Sequence, residues 1–292
     1  MEDKNTNQNI KFTFFGTGDI SVTILNELKN KGFVPKLIVT VPDKPQGRKM
    51  LLTPTPTKVW AQNENVSFIE LKTLRKPESE EEIRKYCTEG YDVFIVASYG
   101  KIIPQNILDI PKHKTLNVHP SLLPKLRGPS PIKSAILSEN ETGVTIMRLD
   151  AEMDHGPILA QKKIDIPTWP PYALDLENVL GKFGGEMLSE ILPLWIEGKV
   201  EEVEQDHNKA TLCQKIEKND GVINLEDSPE LNLRKIRAFH VWPTAYFFEK
   251  ETGKRILVKK ASLVENKLVI ERVVPEGKKE MDYDSYLRGK KN

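Results

Sequence analysis

The run DVFIVA at residues 92–97 decides the fold class of this chain. Its apolar residues follow one another without polar alternation, which is typical of a strand buried on both faces of a sheet. On both sides of this run, strand patterns alternate with helical patterns through the first half of the chain. Such alternation predicts an open, mostly parallel α/β sheet with helices on both faces. Strands are expected at residues 11–15, 34–41, 66–69, 92–97, 115–119 and 143–149, and helices up to about residue 30 and at 78–88 and 172–198.

The sequence pattern changes near residue 205. A charged stretch at 197–208 is followed by one helical pattern and three strand patterns. Residues 209–292 contain 18 Lys and Arg against 13 Asp and Glu, so this part is net basic while the rest is net acidic. A polyanionic partner and an ordinary solvated surface explain that imbalance equally well. We therefore predict two domains, a Rossmann-like α/β domain at 1–204 and a small β-rich domain at 205–292.

Composition excludes several classes of protein. Hydrophobic residues make up 38% of the 292 residues and charged residues 29%, with a mean hydropathy of −0.44, which is typical of a water-soluble globular chain. No apolar stretch reaches the roughly 18 residues that a membrane span needs, and the first ten residues lack the apolar region of a secretory signal. Cys87 and Cys213 have no metal-ligand spacing, so we expect reduced thiols, no metal and a cytoplasmic location.

The strand pattern at 115–119 carries two polar residues at its end. In a strand, residues i and i+2 point to the same face, so Asn117 and His119 project together while Val118 points away. Pro120 ends the strand and leaves both side chains at its carboxyl end, where open α/β sheets bind ligands. An amide beside an imidazole offers two donors to one developing negative oxygen. A polar pair bonded to a neighbouring loop explains the spacing equally well.

Two carboxylates, Asp150 and Asp154, follow the strand pattern at 143–149. The turn-forming residues DHGP at 154–157 are able to return Asp154 to the same edge of the sheet. A carboxylate near His119 favours the protonated imidazole and fixes its orientation. Taken alone, however, an aspartate in such a position is better explained by turn chemistry.

A basic, proline-rich segment follows the second strand pattern. Residues 42–58, PDKPQGRKMLLTPTPTK, contain Lys44, Arg48, Lys49 and Lys58. A stiffened basic loop at the end of a central strand suits contacts with phosphates. The alternative is an exposed surface loop without a ligand, although long loops in compact domains are more often functional or disordered.

Three segments together resemble the folate-dependent formyltransferases. They are VASYGKIIP at 96–104, LNVHPSLLPKLRGPSPI at 116–132 and GVTIMRLDAEMDHGPIL at 143–159. Their order and spacing match the family, and the resemblance extends from about residue 11 to residue 289. It implies 10-formyltetrahydrofolate as the formyl donor, with no metal. It also implies that the catalytic residues are Asn117, His119 and Asp154.

The same resemblance implies a folate site. A flat pterin suits a narrow apolar slot with backbone hydrogen bonds at its edge. We expect this slot to be lined by the segment after the strand at 92–97, by the turn after the strand at 115–119, and by the loop before Asp154. For the leucines of that turn, packing against the sheet is the somewhat better explanation. The predicted folate residues are Tyr99, Gly100, Ile102, Ile103 and Pro104, then Ser121, Leu122, Leu123 and Pro124, and Asp150.

Within this family, the sequence looks most like the members that formylate methionine on initiator tRNA. The segment 42–61 resembles their tRNA-contacting insertion, which implies contacts from Lys44, Arg48 and Lys49. The sequence departs from the family's pattern in two places, because the insertion is shorter after Arg48 and the C-terminal part is shorter between Ser262 and Val269. The resemblance therefore implies a C-terminal OB-like β-barrel that is trimmed. The segments 215–225, 236–248, 275–281 and 286–289 also resemble the C-terminal part of these members.

The implied function is transfer of the formyl group of 10-formyltetrahydrofolate to the α-amino group of initiator methionyl-tRNA. We expect a monomer without membrane association. Asn117 and His119 are expected to stabilise the developing oxyanion, while Asp154 holds His119 in its useful charge state and assists proton removal. One alternative is formyl transfer to an amino sugar nucleotide or to glycinamide ribonucleotide. Another is a folate- or RNA-binding protein that has lost catalysis, although pure binding would not require all three side chains.

Overall fold

The computed structural model describes residues 9–47 and 50–290. Within them, packing divides the chain into two units made of discontinuous segments. The first unit takes the residues up to Gly128 together with Gly143–Ile164 and Asn178–Leu212. The second takes Pro129–Thr142, Asp165–Glu177 and the residues from Cys213 onward. The predicted domain boundary near residue 205 stays a prediction.

The central sheet has seven strands in the order β5-β2-β1-β6-β7-β8-β9. Neighbours from β5 to β7 pair in parallel, whereas β7 and β8 pair antiparallel. Four of these strands, β1, β2, β6 and β7, are buried along their whole length. The predicted mostly parallel α/β fold is therefore confirmed. The strands are β1 (Phe12–Gly16), β2 (Leu37–Thr40), β3 (Lys44–Gln46), β4 (Leu51–Thr53), β5 (Phe68–Glu70), β6 (Val93–Ala97), β7 (Thr115–His119), β8 (Thr142–Arg148) and β9 (Ile158–Ile164).

The longest helix, Ala173–Ile196, runs without interruption through its glycines. Gly184 allows a close approach to the sheet, because a Cβ there would lie 2.7 Å from the Cγ1 of Val118. Gly181 and Gly185 allow an equally close approach to the helix Asp19–Asn30, so these glycines reflect close packing and not a helix end. The helices are α1 (Asp19–Asn30), α2 (Pro56–Asn63), α3 (Pro77–Lys85), α4 (Gln105–Leu108), α5 (Pro131–Ser138), α6 (Ala173–Ile196), α7 (Pro229–Ala238) and α8 (Tyr283–Arg288).

The C-terminal strands form an antiparallel sheet in the order β10-β11-β12-β13. Its core combines residues of α7, α8 and the sheet, including Ile236, Val258 and Val273. Glu265 and Asn266 join β11 to β12, both with positive φ values of 49° and 58°. Such values are typical of a tight type I′ hairpin turn, which accounts for the shortening noted in this region of the sequence. The strands are β10 (Tyr246–Phe248), β11 (Arg255–Val264), β12 (Lys267–Pro275) and β13 (Met281–Asp282).

Three further observations concern membrane-spanning helices, the cysteines and metal-binding clusters. Within the described residues, no helix has the length and apolar character needed to cross a membrane. Cys87 and Cys213 are both free thiols. In the same part of the chain, no three His, Cys, Asp or Glu side chains lie together in a way that suits a metal ion.

Candidate active site

Strand β7 places Asn117 and His119 on one face of the sheet. Val118, between them, points to the other face and packs against Gly184 of α6. This is the alternation that the strand period requires. Both polar side chains are buried, with 8% exposure for Asn117 and 4% for His119. Buried polar groups need partners, so the contacts of these two side chains define the site.

Asp154 reaches both residues from the loop between β8 and β9. Its Oδ1 lies 3.3 Å from Nδ2 of Asn117 and 3.7 Å from Nδ1 of His119. Its Oδ2 accepts a hydrogen bond of 2.8 Å from the backbone N–H of Gly128. The structure thus brings an amide, an imidazole and a carboxylate within mutual reach, although they are far apart in sequence.

The backbone around the site is strained where these side chains are held. Asp154 has a φ of 50° and Leu126 a φ of 59°, both in the left-handed region that disfavours residues with a Cβ. Such conformations cost of order 1–3 kcal/mol each and persist only where the surroundings enforce them. They cluster at functional sites more often than elsewhere, which agrees with the position of the three side chains.

The hydrogen-bond partner of His119 identifies its tautomer. Nε2 lies 3.0 Å from the carbonyl oxygen of Leu126. Since a carbonyl only accepts, Nε2 carries a hydrogen and the neutral ring presents a lone pair at Nδ1. His119 can therefore donate to an oxyanion from Nδ1 only when Nδ1 also carries a hydrogen. This adds a charge requirement to the role predicted from sequence.

In the turn at 121–124, polar groups of Ser121 and Leu123 form hydrogen bonds within the protein. The Ser121 hydroxyl donates to the carbonyl of Lys125 at 2.7 Å, and the Ser121 carbonyl accepts from the Thr145 hydroxyl. The Leu123 N–H donates to Thr145 Oγ1 at 3.2 Å, and the Leu123 carbonyl accepts from Gln161 at 2.8 Å. Leu122 and Pro124, also predicted folate residues, are half-buried in this turn. The turn is a fixed part of the sheet edge.

The segment after β6 divides into buried and exposed residues. Tyr99 packs its ring against Phe15 at 5.5 Å between centroids, and Ile103 packs against the same core. Burial raises the pKa of the Tyr99 hydroxyl, which has no hydrogen-bond partner among the described residues. Ile102 is 67% exposed, and nothing lies within 4 Å of the position a Cβ would take at Gly100. Pro104 directly precedes α4.

This segment leaves the sheet at the same edge as the catalytic side chains. Strands β6 and β7 are adjacent and parallel, with Val96 paired to Asn117. Residues 99–104 follow the carboxyl end of β6, and His119 is the last residue of the neighbouring β7, so both lie where α/β sheets bind ligands. Asp150 is held differently, since its carboxylate accepts from the Glu152 N–H at 2.9 Å and contacts His155 Nδ1 at 2.8 Å.

Within the basic segment, strands β3 and β4 pair antiparallel as a hairpin, and α2 begins at Pro56. Lys44 lies in β3 and is exposed, while Arg48 and Lys49 fall outside the described residues. Lys58 differs from the sequence interpretation, because its Nζ contacts Asp43 at 2.8 Å and Glu70 at 3.1 Å. Only 14% of its side chain is exposed, so its charge is already paired inside the protein. Thr55 caps α2 by accepting from the Lys58 N–H.

Sequence reasoning missed two buried residues, Arg127 and Gln205, of which Gln205 contacts the backbone of the site. Arg127 is 7% exposed and donates to Oε1 of Gln205 from Nε at 3.1 Å and from Nη2 at 2.7 Å. Gln205 is 5% exposed and donates to the carbonyls of Asp154 at 3.0 Å and Gly156 at 2.7 Å. Arg127 was visible as the arginine of the RGPSP segment. Gln205 gave no signal, since it lies in a charged run.

Comparison with known proteins shows the family of this chain. The family described as Formyl transferase matches residues 8–192, and its C-terminal domain matches residues 215–268. The methionyl-tRNA formyltransferase of Chloroflexus aggregans is 40% identical over 253 residues, covering 85% of this chain and 79% of that protein. The protein of the same name from Geobacillus sp. (strain WCH70) is 36% identical over 304 residues, covering 96% and 94%.

Solved structures share the fold at low identity. A sugar N-formyltransferase from Shewanella sp FDAARGOS_354 has a TM-score of 0.65 at 17% identity, covering 88% of this chain and 99% of that one. HypX from Aquifex aeolicus in complex with tetrahydrofolic acid also has a TM-score of 0.65 at 17% identity, covering 96% and 47%. At such identities the likeness concerns the fold alone, whereas the relatives above establish the family. The chain therefore belongs to the formyl transferase family, in the group whose curated members are named methionyl-tRNA formyltransferase.

Proposed function

We propose that this chain transfers the formyl group of 10-formyltetrahydrofolate to the α-amino group of methionine on initiator tRNA. The product, N-formylmethionyl-tRNA, serves translation initiation. The observation that carries this proposal is the meeting of Asn117, His119 and Asp154 at one edge of the sheet in a chain of this family. We further propose that the chain acts as a monomer in the cytoplasm, where charged tRNA is available.

The first requirement of the reaction is stabilisation of negative charge. When the amine adds to the formyl carbon, charge develops on the formyl oxygen and needs donors fixed in advance. The Asn117 amide supplies one N–H, and its orientation is set by the Asp154 carboxylate 3.3 Å away. The imidazolium of His119 supplies a second from Nδ1. Loss of one such donor costs about 2.7–4 kcal/mol of barrier height in other enzymes.

The second requirement is removal of a proton from the attacking amine. Asp154 is the group suited to this role, since its Oδ2 is fixed by the Gly128 N–H and its Oδ1 faces both neighbours. We propose that this carboxylate accepts the amine proton, directly or through one water, and passes it to N10 of the folate. The bond between N10 and the formyl carbon then breaks, and tetrahydrofolate leaves.

The formyl donor requires a site beside these groups. We propose that residues 99–104 and 121–124 border it, because both segments follow neighbouring strands at the same sheet edge. The polar groups of Ser121 and Leu123 are already bonded, so this turn contributes shape. Gly100, with a φ of 68° and open space around it, leaves backbone groups accessible. Asp150 contributes through backbone groups, because its carboxylate is already bonded.

The acceptor tRNA requires cationic contacts outside the catalytic centre. We propose that Lys44, Arg48 and Lys49 contact its phosphates, of which Lys44 lies in an exposed strand of the hairpin. The net basic residues 209–292 are suited to the same polyanion.

The deciding experiment supplies the purified protein with 10-formyltetrahydrofolate and one acceptor at a time. Initiator methionyl-tRNA is the expected acceptor, and an amino sugar nucleotide and glycinamide ribonucleotide are the competitors. We expect formyl-methionine to form on the tRNA, with kcat/KM at least about 100-fold higher than for either small amine. Turnover of a small amine without formylation of the tRNA would replace the proposed acceptor. Absence of turnover with every acceptor would leave a binding protein.

A further inference from the structure

We infer that Gln205 is a positioning residue, which acts on catalysis by holding the turn that carries Asp154. Gln205 lies 51 residues beyond Asp154 in a charged run and does not reach the three catalytic side chains. Its side chain instead contacts the backbone on both sides of His155. The inference rests on the proposed function where it concerns turnover, and on the structure alone where it concerns geometry.

The amide of Gln205 uses its hydrogen-bonding groups on two sides. Its Oε1 accepts both bonds from Arg127, and because a guanidinium only donates, the amide cannot be oriented the other way. Its Nε2 therefore faces the turn, where one hydrogen goes to the carbonyl of Asp154 and the other to the carbonyl of Gly156. These two bonds fix the peptide groups that set the direction of the Asp154 side chain.

Arg127 connects this amide to the other half of the site. Its chain neighbours are Leu126, whose carbonyl contacts His119, and Gly128, whose N–H binds Asp154. The backbone of Arg127 is itself held, since its N–H donates to the Thr211 carbonyl at 2.9 Å. The pair Arg127–Gln205 thus joins the turn that orients the imidazole to the turn that presents the carboxylate.

A second contact supports the same turn. The ring of His155 stacks on that of His207, with centroids 4.1 Å apart and planes 2° from parallel. His207 Nδ1 accepts from Nη2 of Arg127 at 2.8 Å, and His155 contacts Asp150 at 2.8 Å. Gln205 therefore holds the Asp154 turn through the backbone carbonyls of the turn, and His207 holds it through the side chain of His155.

The turn needs such support because its geometry is unfavourable by itself. Asp154 has a φ of 50°, in the left-handed region that disfavours a residue with a Cβ. Without the two bonds from Gln205, the Asp154 peptide is free to relax toward ordinary negative φ values. The carboxylate then leaves the position in which it contacts both His119 and Asn117.

The test compares Gln205→Met with the matched control Glu204→Gln, a substitution at the exposed neighbouring residue. We expect Gln205→Met to lower kcat by about 100-fold, as displacements near 1 Å do in other enzymes, while KM for the tRNA and for the folate changes less than about twofold. Glu204→Gln keeps the kcat of the wild type. A normal kcat for Gln205→Met, or an effect confined to KM or to the melting temperature, would overturn the inference.

Two further measurements keep the inference testable in every case. Gln205→Glu preserves the acceptor for Arg127 but replaces the two donated bonds by repulsion from the carbonyls, so it serves if Gln205→Met does not fold. A crystal structure of the variant is expected to show Asp154 displaced and its Oδ1 further than 3.7 Å from His119 Nδ1. An unmoved Asp154 would refute the positioning role, whichever amine the wild type formylates. Formylation of another amine by the wild type would instead refute the proposed acceptor.

Discussion

The turns around Asp154 and the C-terminal sheet are stabilised in different ways. The turns place residues with a Cβ at positive φ and are held by a few buried hydrogen bonds from Arg127 and Gln205. The sheet is built from a long hairpin, β11–β12, with an apolar core and exposed ion pairs such as Lys260–Glu271 at 2.7 Å. We expect catalysis where a few specific hydrogen bonds enforce the geometry. We expect tolerance of substitutions where many small packing contacts together stabilise the structure.

This difference predicts how substitutions divide between rate and stability. Changes at the turns should lower turnover more than stability, because each removes a group or a bond that only the site requires. Changes in the sheet should alter stability and leave turnover unchanged. The following predictions test this division, beginning with the largest expected effect.

His119→Ala should have the largest effect on rate. It removes both the donor to the oxyanion and the partner of Asp154, so we expect kcat to fall by about 1,000-fold. Binding of tRNA in a filter assay should stay within about twofold, because His119 is buried and contacts no phosphate-binding group. The matched control His113→Ala, a histidine outside the site, should keep the wild-type kcat. A large loss of tRNA affinity would contradict the catalytic assignment.

Arg48→Glu should weaken tRNA recognition without altering the chemistry. Reversing a cation that contacts phosphate should raise KM for tRNA by about tenfold at low salt, and the effect should shrink as salt is added. The folate KM and kcat should not change. Lys182→Glu, the same charge change on the exposed face of α6, serves as control. An equal rise in KM for both variants would show a general charge effect and not a specific contact between Arg48 and phosphate.

Glu249→Gln should lower the free energy of unfolding at neutral pH but not at strongly acidic pH, and it should leave turnover unchanged. Hydrogen bonds from Lys290 and Thr252 lower the pKa of Glu249 to about 2 from an ordinary value of 4.5. A lowered pKa means that this contact stabilises the folded state above about pH 4.5 and is lost as the pH falls toward 2. We expect the substitution to cost about 1–2 kcal/mol of unfolding free energy at pH 7 and almost none near pH 2.

Thermal unfolding at several pH values measures this difference. Glu251→Gln is the matched control, because Glu251 contacts the same lysine but is 75% exposed. Its effect should be near zero at every pH. A cost for Glu249→Gln that does not vary with pH would refute the assigned ion pair, and a loss of turnover would contradict the division between turns and sheet.

Glu265→Asn should have the smallest effect, a gain in stability. Glu265 occupies the first central position of the tight turn with a φ of 49°, where asparagine is strongly preferred. We expect the unfolding free energy to rise by about 0.5–1 kcal/mol, with unchanged turnover. A lower melting temperature would show that the turn is not of the assigned type.

The sequence predicted the buried strands better than the exposed ones. The span at 92–97 matches β6 to within one residue, because burial on both faces leaves a continuous apolar pattern. The span at 115–119 coincides with β7, since Pro120 directly follows its last residue and ends the strand. Strand β9 was missed, since its central residues Gln161, Lys162 and Lys163 are exposed and interrupt that pattern. The hairpin β3–β4 was missed because Pro45 lies inside it, and proline argues against a strand.

The candidate site shows a similar division. Asn117, His119 and Asp154 were predicted because they lie in short motifs with a characteristic order. Gln205 was not, because its role depends on the path by which the chain returns to Arg127, 78 residues away. Its neighbours Glu204 and Asp206 made the segment look like a solvated linker. Such long-range contacts of single residues leave no periodic signal in one sequence.

The most direct test of the central claim is the single-turnover rate of formylation by Asp154→Asn. This substitution keeps the size of the side chain and removes its charge and its ability to accept the amine proton. We predict that the rate with initiator methionyl-tRNA and 10-formyltetrahydrofolate falls by about 1,000-fold while the tRNA dissociation constant is unchanged. A rate within about tenfold of the wild type would contradict the claim that these three side chains carry out the transfer.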